Sequence, residues 1–133
     1  MSTILVDNLT GKTSAGSITV TSEGGAATQS LQQGLAKAWA SANQAALQDS
    51  LNVSSTTDNQ SGDTTFTYSN AMVNDDYAIF GSAVGPGSDT AGITTTRQRT
   101  TTFMRMVVFD DVKNASGRFD TGYQSVGNIG DLA

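Results

Sequence analysis

Phe103-Met104-Arg105-Met106-Val107-Val108-Phe109 is the stretch on which the fold class of this chain turns. Strand side chains alternate between two faces, so Phe103, Val107 and Phe109 share one side while Met104, Met106 and Val108 share the other. Both sides are apolar. That predicts a strand covered on both faces, either inside an antiparallel β-sandwich of jelly-roll type or between a domain and its symmetry mates. Arg105 falls on the Phe103 face, where an unpaired charge is costly. It is expected to pair with Asp75, Asp110 or Asp111, or to carry its head out to an edge.

Outward from this strand, the chain continues to read as β. Leu51-Asn52-Val53-Ser54, Thr64-Thr65-Phe66-Thr67-Tyr68, Tyr77 through Val84 and the closing stretch from Tyr123 are strand candidates. Asp58-Asn59-Gln60-Ser61-Gly62-Asp63 reads as the turn of a hairpin, with Gly62 suited to a positive φ. Its carboxylates lack the other oxygen ligands of a calcium loop, so a solvated turn is the reading. Gly85-Pro86-Gly87-Ser88-Asp89-Thr90-Ala91-Gly92 forms a polar loop that runs into Thr94-Thr95-Thr96-Arg97-Gln98-Arg99-Thr100-Thr101-Thr102. A solvated edge strand is the plainer account of that threonine and arginine array. The functional account makes Ser88, Thr94, Thr96, Arg97 and Arg99 candidates for receptor contact.

Upstream, Ile4-Leu5-Val6 and Ile18-Thr19-Val20-Thr21 predict two short strands with little to bury between them. Residues 1–25 therefore read as an attachment or intertwining arm. From Ala26 onward, Leu31, Leu35, Ala38, Ala42 and Ala45 fall at spacings of four, three, four and three, which on its own supports a helix to about Gln48. Leu31, Leu35, Ala38 and Trp39 gather beside strands that lack a core of their own, so they are expected to form the apolar layer of a trimer interface.

The composition narrows the function. The chain has 133 residues, no cysteine and no histidine, and a formal net charge of -5. Disulfides, thiolate nucleophiles, imidazole bases and the usual zinc ligands are thereby removed. An acidic chain repels phosphate backbones, so nucleic acid is not an expected partner. No apolar run approaches the roughly 20 residues that span a bilayer, and no membrane insertion is expected. The paired acids Asp75-Asp76 and Asp110-Asp111 point to opposite faces of a strand, so neither is a facing acid/base couple of a glycosidase. Thr10-Gly11-Lys12-Thr13 has the tail of a phosphate loop without its upstream glycine. No catalytic, cofactor-binding or metal-binding residues are assigned, and an enzyme is not expected. Large apolar groups are scarce in a chain with 37% hydrophobic residues, so a core shared between subunits is a natural remedy.

Gly16 through Thr28 with Leu31-Gln32-Gln33-Gly34-Leu35-Ala36-Lys37-Ala38-Trp39, and the stretch from Asp49 through Met72, resemble virion fibre and tail-fibre proteins of tailed, marine-type bacteriophages. The resemblance covers most of the chain and is strongest from Val6 to Met72. It implies a short helix over residues 28–36 followed by a strand, in place of one long helix. It also implies a mainly β, homotrimeric, non-enzymatic structural protein of the virion. Residues 1–35 would form an attachment and trimerisation segment that meets other virion proteins, and residues 36–133 a β-domain exposed to a host surface glycan or protein. Two alternatives stand beside it: a capsid or tail decoration protein that stabilises the particle, and a secreted sugar-binding module.

Overall fold

The computed structural model describes residues 3–14, 18–22, 24–25, 27–43, 45–85, 91–110 and 117–130, excluding the side chains of Gln33, Ala91 and Asp110. The chain divides into two compact units, Met1–Leu35 and Ala36–Ala133.

In the first unit, β1 (Thr19–Thr21) pairs antiparallel with β2 (Thr28–Ser30), with Val20 opposite Gln29. The turn between them is held by Ser22 N–H to Ala27 O at 2.8 Å, and Gly25 sits at φ 71. One helical turn, α1 (Leu31–Gly34), follows. The expected helix over residues 28–36 is thus shorter, because residues 28–30 are drawn into the hairpin. Residues 4–6, expected as a strand, belong to no strand; Ile4 and Leu5 are exposed, as are Val6, Leu9 and Val20.

The second unit is one antiparallel sheet of eight strands: β3 (Ala36–Asn43), β4 (Ala46–Leu51), β5 (Val53–Gln60), β6 (Asp63–Tyr68), β7 (Ala78–Val84), β8 (Ala91–Arg99), β9 (Phe103–Asp110) and β10 (Tyr123–Ile129). Their order is β4-β3-β10-β7-β8-β9-β6-β5. The layering expected as a sandwich takes the form of a single continuous sheet that curls until it is nearly closed. Its two edges, β4 and β5, are consecutive in the chain and meet at Asn52, whose φ of 56 turns the corner. Asn52 suits that left-handed conformation, and its side chain fixes the corner by accepting Asn70 N–H at 2.8 Å. Along the seam Thr56 Oγ1 donates to the Ala45 carbonyl, and Ser50 Oγ donates to Val53 O at 2.8 Å.

The core lies inside the curl. Residues 36–43, readable as helix from their alanine spacing, are strand: Ala38, Ala40 and Ala42 point inward at every second position and are buried. Their small side chains leave room for Phe66, Tyr68, Met72, Tyr77, Met104 and Met106, in the alternation of small and large residues that fills a narrow barrel. Tyr77 Oη donates to the carbonyls of Thr100 at 2.9 Å and Phe103 at 3.1 Å, and its ring meets that of Tyr68 edge-on. Burial, reinforced by Tyr77, pushes the Tyr68 hydroxyl far above its usual range. The hydroxyl therefore stays protonated, and it accepts Asn128 Nδ2–H at 2.7 Å, a bond that opposes the shift without cancelling it.

A turn separates β8 from β9. Thr100 Oγ1 accepts Phe103 N–H at 3.1 Å and Thr102 N–H at 3.2 Å, ending β8 and starting β9. Within β9, Met104, Met106 and Val108 are buried on one face, while on the other Phe103 and Phe109 lie half-buried and Val107, opposite Asp63, is buried as well.

The β5–β6 turn is tighter than expected, consisting of Ser61 and Gly62. Gly62 has φ +65, and a Cβ there would lie 2.8 Å from both the Phe119 and Val108 carbonyl oxygens. Backbone conformation and backbone crowding both exclude a side chain. Gly62→Ala is expected to cost about 1–3 kcal/mol. A urea midpoint unchanged from that of the wild type would contradict this packing.

Candidate binding surfaces

The outer surface of the sheet carries two different patches. The first lies on β4, β3, β10 and β7, where register aligns Leu51, Trp39, Gly127 and Phe80 in one row across the strands. All three large side chains of the row are exposed, Trp39 at 37% and Phe80 at 54%. Gly127 lets the Phe80 ring lie against the sheet, because a Cβ at this position would come within 2.5 Å of that ring. The adjoining row is Ser41, Ser125 and Ser82, and beyond it Tyr123 faces Val84. Trp39, Phe80 and the three serines line a shallow open groove. A solvated antiparallel sheet alternates core-facing apolar with outward polar residues, so this apolar outer row departs from the pattern of a water-facing surface.

The second patch centres on Asp63 and occupies the outer face of β6, β8 and β9. Asp63 was read as part of a solvated turn, yet it opens β6 and its side chain is fully buried. Arg105 grips it with two bonds, Nε to Oδ1 at 2.6 Å and NH2 to Oδ2 at 2.9 Å. Arg97 NH1 reaches Oδ2 at 3.0 Å, and Arg118 NH1 reaches it at 3.5 Å. The partner expected for Arg105 among Asp75, Asp110 and Asp111 is therefore Asp63, brought alongside because β6 and β9 are neighbours with Thr65 opposite Arg105. A register shift between Thr96 and Gln98 places Arg97 as the extra residue of a bulge, which aims it at the carboxylate. Burial pushes the Asp63 carboxyl up, but hydrogen bonds from Arg105 and Gln60 and the charges of Arg105 and Arg97 outweigh it and hold the group below its usual range. The same bond to Asp63 raises the Arg105 guanidinium further.

Neither a family model, nor a curated protein, nor a solved structure matches the chain.

Of the four residues expected to form a trimer layer, Leu31 and Leu35 belong to the first unit and Ala38 and Trp39 to the second. In the first unit, Leu35 is exposed and Leu31 half-buried. In the second, Ala38 and Trp39 are neighbours on β3 and face opposite ways: Ala38 is wholly inside, so of the two only Trp39 is on the surface. Of the receptor candidates, Ser88 lies outside the described residues. Thr94, Thr96, Arg97 and Arg99 are in β8, which pairs with β9 from Gly92 to Arg99 but with β7 only at Ala91 and Gly92, so the stretch carrying these four residues is laddered on the β9 side alone. Thr94 Oγ1 donates to Gly81 O at 2.9 Å, Arg99 NH1 to Tyr77 O at 3.1 Å, and Thr96 Oγ1 contacts the Met106 sulfur. Sequence reasoning missed Asp63, Arg118, Phe80, Gly127 and Tyr123.

A third feature is a small pocket of about 100 Å³ lined by Asp58, Asp120, Thr64, Thr121 and Gln124, where Gln124 Nε2 donates to Thr64 Oγ1 at 2.9 Å. Among the described residues, no three His, Cys, Asp or Glu side chains gather where a metal ion could be held. No helix there is long and apolar enough to cross a membrane.

Proposed function

We propose that this chain is a non-enzymatic structural protein of a bacteriophage virion, a homotrimeric fibre or tail-fibre component that helps attachment to the host. What supports the reading in the sequence is the resemblance of the stretches from Gly16 to Trp39 and from Asp49 to Met72 to the wording of such fibres. The observation that carries the assembly is the outer row of Leu51, Trp39, Gly127 and Phe80, with Tyr123 and Val84 on the same face beyond a row of three serines. The row is exposed in a single copy, and exposed large apolar side chains aligned across neighbouring strands mark an interface. A second copy of the chain is the occupant this reading assigns. The first unit has the same need for cover, with Ile4, Leu5, Val6, Leu9 and Val20 all exposed, and identical neighbours supply it at both places. In this reading residues 1–35 attach and trimerise, the sheet of residues 36–133 is the exposed knob, and no cofactor is needed.

Light scattering of the purified protein is expected to give a mass of three chains. Trp39→Asp combined with Phe80→Asp is expected to yield folded single chains, since two charges would be set in a shared apolar layer. A wild-type protein that stays a single chain at micromolar concentration, or a double variant that still assembles, would overturn this assignment.

A further inference from the structure

Three guanidinium groups, those of Arg97, Arg105 and Arg118, converge on the single carboxylate of Asp63. One bidentate arginine already satisfies a carboxylate, and Arg105 provides that grip. The remaining lone pairs of Asp63 are also taken: Oδ1 accepts Asn59 Nδ2–H at 3.3 Å, and Oδ2 accepts Gln60 Nε2–H at 3.4 Å alongside Arg97 and Arg118. Counted over the described residues, the cluster is therefore saturated on its negative side and carries an excess of positive charge. Among the described residues, no other acid lies within ion-pair distance of these arginines. Like charges held this close repel, a cost that an added anion removes.

The free donors face water. Arg97, Arg105 and Arg118 keep 42%, 24% and 30% of their side-chain surface exposed, although Asp63 beneath them keeps none. Each guanidinium has five N–H donors, and Arg97 and Arg118 each use one on Asp63. Thr65 lies beside Arg105 in register, and its Oγ1 accepts Asn59 Nδ2–H at 2.9 Å, leaving its own hydrogen to donate. The setting is also pre-organised: Asp63 fixes the three arginine heads before any ligand arrives, which lowers the ordering cost of binding. In a chain with seven basic against twelve acidic residues, this is a concentration of positive charge that the overall balance opposes. The patch is built on β6, β8 and β9 with Arg118 bridged to Phe109 beside them, and these strands contribute nothing to the Trp39 and Phe80 row.

We propose that Arg97, Arg105 and Arg118, held by Asp63, form a binding site for an oxyanion, a sulfate ester or carboxylate borne by an acidic polysaccharide. The oxyanion part stands on the cluster alone; the polysaccharide part rests on the host-attachment reading. Forked guanidinium donors match the oxygens of either group, and the exposed heads accept an anion on a polymer that could not enter an enclosed cavity.

The test is calorimetric titration of the full chain with sodium sulfate, against sodium chloride at equal ionic strength, followed by sulfated and by uronate oligosaccharides. Sulfate is expected to bind with saturation where chloride does not, with Arg97→Gln weakening it at least tenfold. Arg97 is the variant of choice because Arg105 still holds Asp63 in its absence. Should Arg97→Gln prove unfolded by circular dichroism, Arg118→Gln serves the same purpose. Sulfate that binds no better than chloride, or binds wild type and a folded variant alike, would overturn the site. Binding of one oligosaccharide and not the other identifies the charged group, and both outcomes support the proposal. Inorganic sulfate binding without either oligosaccharide would overturn the polysaccharide assignment. The homotrimer is judged separately by mass, so failure here is distinguishable from failure of the fibre reading.

Discussion

Asp63→Ala is expected to destabilise the sheet by about 3–5 kcal/mol, because it leaves three arginine heads around an uncompensated, half-covered site. The loss should be visible as a large fall in the urea midpoint. The sign of the pH dependence follows from the same geometry. Asp63 is held below its ordinary value, so its contribution is fully present above the unfolded carboxylate pKa and is lost as pH falls through the lower folded value. The wild type should therefore weaken below about pH 4, and Asp63→Ala should lack this part of the acid response. If the variant melts and titrates with acid as the wild type does, Asp63 does not pin β6 to β8 and β9.

Phe66→Ala is expected to be as damaging, at about 3–5 kcal/mol. Phe66 is fully buried at the middle of β6, facing Met104 on β9 and Thr56 on β5 in register. The small alanines of β3 are already part of the interior, so little surrounding bulk is free to collapse into the space left behind. Phe66→Leu should recover most of the stability by refilling it. A loss under 1 kcal/mol for the alanine variant would mean that the interior of the curl is looser than described.

Much of the β character was legible because it rests on period-two alternation, which acts locally. The two-sided apolarity of residues 103–109 is met by Met104, Met106 and Val108 on the inner side and Phe103, Val107 and Phe109 on the outer, and Gly62 takes the positive φ its turn requires. Ala38, Ala40 and Ala42 were the ambiguous case. Alanine is the best intrinsic helix former, and only the narrow interior of a curled sheet explains why three of them occupy a strand.

The candidate sites were less legible for a reason of distance. Arg97, Arg105 and Arg118 lie 34, 42 and 55 residues from Asp63, and nothing in a single sequence records which strands become neighbours. A one-residue bulge after Thr96 adds a further shift of aim that alternation alone would miss. The Trp39 and Phe80 row has the same origin, since it exists only through the pairing of β3 and β7 with Gly127 of β10.

The register of β3 and β10 has a mechanical consequence. The chain enters the second unit at Ala36 and finishes its last strand at Ile129, and these two residues are cross-strand partners. A pull applied between them falls on the end of an antiparallel pair, so its rungs open one after another instead of all resisting in parallel. The module is thus a zipper held by its tab. Under tension along the chain, β3 and β10 are where the sheet would yield first, and a neighbouring subunit packed across Trp39 and Gly127 would act as a clamp over that tab.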